Sequence, residues 1–298
     1  MAQNKKTDLQ RIMLWTLVAA YTIALPHAII IYRSIEKHFS TYVAGKVPLV
    51  IIILLGIAYL ASSVLLKRGT GYVLFLIPST LIVYAIIVLE PNPNKHIHIP
   101  EYIILCWMLY QALVLDYKGK GIFLLVFICA IMLGIFDEIE QGIYPGRFYG
   151  SEDMVINTAS CIIGILTLIG LRPGPSGDWS WVGCLKKYKA SLAAIIFGLT
   201  GSAVTCAYLF HVQAMMDFWE TYPLWLSGWN VIFLVLGSTI IISFWQCHHM
   251  QDRLKDQKES NPSDMEATAR LWVLSPMVIL LVIHALVVFV GVSGLSFD

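Results

Sequence analysis

The stretch Val47-Pro-Leu-Val-Ile-Ile-Ile-Leu-Leu-Gly-Ile-Ala-Tyr-Leu-Ala-Ser-Ser-Val-Leu-Leu66 runs without a charge and is closed by Lys67-Arg68. A helix rises about 1.5 Å per residue, so such a run matches the ~30 Å hydrocarbon core of a bilayer. Lipid offers backbone groups no partner outside their own helix, so a run of this kind predicts a membrane-spanning helix. Working outward, comparable runs occupy residues 13–32, 72–89, 102–115, 122–136, 154–171, 192–209, 224–245 and 271–292, which with 47–66 makes nine. The whole chain of 298 residues is 58% hydrophobic and 13% charged, with a mean hydropathy of +0.73. That is far more apolar surface than one soluble core hides. The fold class read from these runs is all-α, a polytopic transmembrane bundle of about nine spans.

Charge sets the expected orientation. Fifteen of the 20 Lys and Arg residues, from Lys5, Lys6 and Arg11 to Arg253, Lys255, Lys258 and Arg270, fall on the N-terminal side of such a bundle. Arg33, Lys37, Lys46, Lys95 and Arg147 fall opposite. The positive-inside bias then predicts a cytoplasmic N-terminus, an extracytoplasmic C-terminus and a multi-pass protein of the cell inner (cytoplasmic) membrane. The first span reads as a retained signal anchor, since no small-residue cleavage site follows its apolar run. Its six cysteines lie in spans or cytoplasmic loops and imply no disulfide. With a net charge of +1 and its basic residues accounted for by topology, the chain gives no sign of nucleic-acid binding.

Arg172-Pro-Gly-Pro-Ser-Gly-Asp178 is a turn-rich break that divides the chain into residues 1–173, with six spans, and residues 174–298, with three. A polar cytoplasmic loop, residues 247–270, belongs to the second part. Gly56, Gly198, Gly201 and Gly237 are expected to permit close helix approach.

The polar residues that matter gather at three outer helix ends. Lys95-His-Ile-His98-Ile-Pro-Glu101-Tyr102 opens the fourth span, and if it is helical, His98 shares a face with Glu101 and Tyr102. Pro100 also suits an entering loop for His98. The fifth span ends in Asp137-Glu138-Ile-Glu-Gln141, whose three- and four-residue steps put two carboxylates and an amide on one face, and a turn carrying Pro145-Gly146-Arg147 leads to Asp153 and Asn157 at the head of the sixth. The fourth and fifth runs are short, so their flanking carboxylates are expected at membrane depth, facing protein rather than lipid.

In order and spacing, Lys95-x-x-His98-x-x-x-Tyr102, Glu138-x-x-Gln141, Pro145-Gly146-Arg147, Asp153 and Asn157 resemble the VanZ-like membrane proteins, a family named for a protein of glycopeptide (teicoplanin) resistance. The similarity spans residues 94–164, with Asn94 standing where the family often has an acid. It implies a helical membrane domain with a cell-envelope role, supplies no established reaction and does not reach the three C-terminal spans.

Several chemistries suit these residues. A hydrolase or transferase acting on a lipid-linked substrate would use His98, Glu138 or Asp153 for proton transfer, with Lys95 and Arg147 holding a phosphate or carboxylate. Glu101, Tyr102, Asp137, Gln141 and Asn157 complete the ligand-binding set. A divalent metal would take His98 with Glu101, Asp137, Glu138 or Asp153, but the spacing is not diagnostic, and the reading assigns no metal and no cofactor. A buried network pinning the helices is the structural alternative, and an accessory or scaffold subunit contacting a membrane complex through the C-terminal spans is another. Trp219, Trp225 and Trp229 give those spans an aromatic edge that reads first as an interfacial belt. The depths of His27, His211 and His284 do not suit a shared haem. The expected partners are the lipid bilayer and an envelope lipid or lipid-linked ligand.

Overall fold

Ser40 opens the decisive stretch by accepting the Val43 N–H on its hydroxyl at 3.2 Å, satisfying one of the donors that every helix start leaves orphaned. From there α3 (Thr41–Leu65) runs 25 residues and ends beside Lys67, which takes the left-handed φ of 50° common at helix exits. The computed structural model describes residues 2–67, 70–115, 121–143, 150–172 and 228–240, with a few isolated positions between 200 and 293.

Among the described residues there is no strand. The first apolar run is longer than 13–32. It forms α1 (Ala2–Ala24), a 3-10 turn at Leu25–His27 and α2 (Ala28–His38), the turn falling at Pro26, whose missing N–H removes a rung of the helical ladder. A 3-10 segment (Thr70–Phe75) leads into α4 (Leu76–Leu89), and a second (Lys95–Ile97) leads into α5 (His98–Leu113). Then follow α6 (Gly121–Ile143) and α7 (Ser151–Leu171).

Five of the described helical stretches are long and apolar enough to cross a bilayer: Leu9–His38, Thr41–Leu65, Gly71–Leu89, Gly121–Glu138 and Glu152–Leu171. The protein is therefore a helical, multi-pass membrane protein. Runs 192–209 and 271–292 lie almost entirely outside the described residues, and of 224–245 the helical segment Gly228–Ile240 is described.

The chain divides into two compact units: residues 1–138 with 150–178, and residues 139–149 with 179–298. In the first, α5 packs on α1, α3 and α7 and buries Ile99, Leu105, Leu109 and Leu113 almost completely. Only 17% of the α3 span and 11% of Gly71–Leu89 are buried, against half for the α6 and α7 spans. Their exposed faces carry Ile53, Leu54, Ile57, Leu81 and Val88, which suits them to the lipid side. Lipid tails are as apolar as leucine, so the inner contacts depend on close packing and interhelical hydrogen bonds. Gly164 lets α5 and α7 approach closely, since a Cβ there would stand 2.7 Å from the Cys106 Cβ, and a Cβ at Gly170 would collide with the Tyr59 hydroxyl of α3. Trp107 adds a hydrogen bond from Nε1 to the Thr167 hydroxyl at 2.9 Å.

Two expectations need correction. Gly56 does not mediate a helix contact: nothing lies within 4 Å of the position its Cβ would take, and it borders an apolar cavity of about 160 Å³ between α3, α4, α5 and α7. Nor is the fifth span short. The α6 helix runs 23 residues from Gly121 to Ile143 and carries Asp137, Glu138 and Gln141 as helical residues, as their three- and four-residue steps predict. Hydropathy falls at Phe136, but a helix passes through polar residues when neighbouring helices satisfy them.

Candidate functional site

The site begins where α4 ends. Glu90 folds the following loop around its own carboxylate, accepting the Asn92 N–H at 2.8 Å, while its backbone carbonyl lies 2.8 Å from His96 Nε2. Asn92 in turn accepts the Asn94 N–H at 3.1 Å, an Asx turn that aims Lys95 inward. Its ammonium stands 2.9 Å from Glu152, 3.2 Å from Glu90 and 3.2 Å from Asp153. An ammonium has three N–H donors, and three carboxylates surround this one. Lys95 therefore ties the loop to the head of α7. Burial works to raise the Glu90 pKa, but the Asn92 N–H and Lys95 outweigh it and hold it below the usual 4.5. For Lys95 burial works downward, and Glu152, Asp153 and Glu90 outweigh it and hold the ammonium above the usual 10.5.

The first turn of α5 comes next. His98 is helical, not a loop residue: Pro100 sits in a first turn, where its missing N–H costs no ladder bond. The shared face read from spacing is present. His98 Nδ1 lies 3.3 Å from Glu101 Oε2, and the His98 and Tyr102 ring centroids are 6.3 Å apart. The contact is an ion-pair distance only, and Nδ1 has no hydrogen-bond partner among the described residues.

Tyr102 crosses to α6, donating from its hydroxyl to Asp137 Oδ2 at 2.9 Å with both residues fully buried. Gly134 makes room for it, since a Cβ at that position would stand 2.9 Å from the tyrosine ring. One position past Asp137, Glu138 is also fully buried and takes the Asn157 side-chain amide on Oε1 at 2.9 Å. Its Oε2 has no hydrogen-bond partner among the described residues. Ser160, on the same stripe of α7 as Asn157, bonds instead to the Ile156 carbonyl of its own helix at 2.7 Å.

Ligand atoms of His98, Glu138 and Asp153 all lie within 4.8 Å of one another. Around them stand Glu101, Tyr102, Asp137 and Asn157, so most of the residues singled out in the sequence do converge. Gln141 is buried one turn beyond Glu138 on α6, in the stretch assigned to the second unit. Arg147 lies outside the described residues. Sequence reading missed three participants. Glu90 and Glu152 are the partners of Lys95, and Tyr21 of α1 donates to the Glu101 carbonyl at 3.1 Å. The acid five residues before Lys95 was a signal for Glu90; nothing in the sequence paired Glu152, 57 residues away, with Lys95 or marked Tyr21. Among the described residues, six carboxylates thus meet one lysine and two histidines, His96 and His98, and the cluster is acidic.

No family model, curated protein or solved structure matches the chain. The site is therefore argued from its own geometry.

In the second unit, Trp229 packs edge-on against Tyr208 and Phe233, with centroids at 5.9 and 5.5 Å, and Phe233 lies 5.1 Å from the buried His284 ring. This is aromatic packing. Trp219 and Trp225 lie outside the described residues.

Proposed function

We propose that this chain is a VanZ-like protein of the cytoplasmic membrane, with nine spans, a cytoplasmic N-terminus and an extracytoplasmic C-terminus. Its cluster from Lys95 to Asn157 binds a charged or lipid-linked envelope component at the outer interface. The observation that carries this reading is Glu138, wholly buried, with one oxygen held by Asn157 and the other without a partner among the described residues. An unsatisfied buried acceptor costs about 1–3 kcal/mol, more for a charged group, so packing alone gives no reason to keep it. A ligand does.

Two features favour a ligand with an apolar tail. The cavity of about 160 Å³ is lined by Leu55, Ile103, Trp107 and Ile163, all apolar or aromatic. It starts at Ile103, five residues down α5 from His98, or about 7.5 Å along the axis. A headgroup held at His98, Glu138 and Asp153 would leave its chain in reach of that space. Should the ligand be turned over, His98 and Glu138 are the groups placed to move a proton.

The test is a susceptibility assay in cells carrying the wild-type chain, Glu138→Gln or Asp153→Asn, with a glycopeptide as the challenge. Wild type is expected to lower susceptibility, and both variants to lose the effect at unchanged membrane level and melting temperature. Variants that keep the effect, or that lose it only together with folding, would contradict the proposal. Orientation is read separately: Asn92→Cys should react with a membrane-impermeant maleimide added to intact cells.

A further inference from the structure

We infer that His98, Glu138 and Asp153 form a site for one divalent transition-metal ion, Mn²⁺ or Zn²⁺. This rests on the ligand-site reading above and names the ligand the protein itself would hold there. The three side chains come from three different helices, α5, α6 and α7, and the fold brings a ligand atom of each within 4.8 Å of the other two. Donors of a tetrahedral ion at about 2.1 Å stand roughly 3.4 Å apart, so side-chain adjustment of about an ångström closes the set. Glu138 supplies the independent sign: it is fully buried, and Oε2 has no hydrogen-bond partner among the described residues. A cation is the partner such an oxygen lacks.

The surroundings are those that metal ligands require. Glu101 Oε2 lies 3.3 Å from His98 Nδ1, near enough to orient a ligating imidazole once a small turn of the ring aligns the N–H with it. Asn157 fixes Glu138 through Oε1 at 2.9 Å. Lys95 lies 3.2 Å from Asp153 Oδ1, and a carboxylate has a second oxygen to offer. The choice of ion follows from the donors. An imidazole among carboxylates disfavours Ca²⁺ and Mg²⁺, whose sites are built from oxygen, and no thiolate belongs to the set. Three protein ligands leave one position open on a tetrahedral Zn²⁺ and three on an octahedral Mn²⁺. An ion with an open position would also present a positive charge to the anionic group of a lipid-linked ligand, where the nearby Lys95 ammonium is already engaged by three carboxylates. Spacing in the sequence did not single out a metal; the convergence of three helices does.

The experiment uses the full chain in detergent, stripped with EDTA and titrated with Mn²⁺ by electron paramagnetic resonance and with Zn²⁺ by calorimetry. Binding of about one ion per chain is expected, with nitrogen modulation from one imidazole that disappears in His98→Gln. Glu138→Gln and Asp153→Asn should weaken binding by at least the roughly 10- to 100-fold expected for Glu101→Gln, which only orients a ligand. Asp153 has 14% of its side chain exposed, so Asp153→Asn is the variant least apt to disturb folding, and its melting temperature verifies this. A variant lacking the adjacent pair, His248→Ala with His249→Ala, should bind as wild type does. The inference is overturned by well under one ion per chain, by unchanged affinity in Asp153→Asn, or by binding lost only with His248 and His249. If wild type binds no metal while Glu138→Gln still abolishes the susceptibility effect, the cation falls and the ligand site stands. Metal binding without any susceptibility effect does the reverse.

Discussion

Removing the Tyr102 hydroxyl should cost more than a membrane hydrogen bond usually does. Hydrogen bonds between transmembrane helices average about 0.6 kcal/mol, because the unfolded chain in lipid also finds partners. The Tyr102–Asp137 bond differs in two respects: its acceptor is a carboxylate, and both residues have no exposed surface. Bonds to charged acceptors contribute about 1.5–3 kcal/mol, and this pair belongs in that range. Tyr102→Phe keeps the ring against Gly134 and removes only the donor, so packing is unchanged. The assay is a double-mutant cycle of Tyr102→Phe with Asp137→Ala, which leaves no side-chain acceptor, read by denaturant unfolding in mixed micelles. The expected coupling is at least about 1.5 kcal/mol, from residues 35 apart in sequence. Coupling at or below the membrane average of about 0.6 kcal/mol would refute the claim that burial and charge make this contact strong.

Gly134→Ala should force its new methyl into the Tyr102 ring and destabilise by about 1–3 kcal/mol, measured in the same unfolding assay. Gly164→Ala should act similarly by pushing α7 off Cys106 on α5, and the simultaneous Cys106→Gly should recover part of the loss. For Glu90 the sign of the pH effect follows from its lowered pKa. The carboxylate contributes stability above its ordinary 4.5, and that contribution is lost as pH falls through the lower folded value. Glu90→Gln should therefore lower the melting temperature at pH 7 and differ little from wild type in acid.

What was legible in the sequence is what local spacing encodes. The apolar runs announced a helical membrane protein, and the three- and four-residue steps put His98 beside Glu101 and Tyr102. Spacing also put Asp153 and Asn157 on one stripe of α7. The longer-range pairings were not legible. Asp137 could have met any of several donors, and Tyr102 becomes its partner only because Gly134 leaves room for the ring. Lys95 reads as an anion binder when its surroundings are unknown; with Glu90, Glu152 and Asp153 around it, the same ammonium is a strut. The fifth span reads short in the sequence for a related reason. Hydropathy marks where a helix leaves apolar surroundings, whereas Tyr102 and Asn157 give the polar turns of α6 their partners and let the helix continue.

The most direct measurement is an electron-microscopy density map of the full chain in lipid nanodiscs supplied with Mn²⁺. The account predicts a density feature separate from the protein between His98, Glu138 and Asp153, absent in Glu138→Gln prepared the same way. Density at Glu138 Oε2 that is continuous with a side chain of the protein itself, identical with and without metal, would contradict it and make the cluster a structural network.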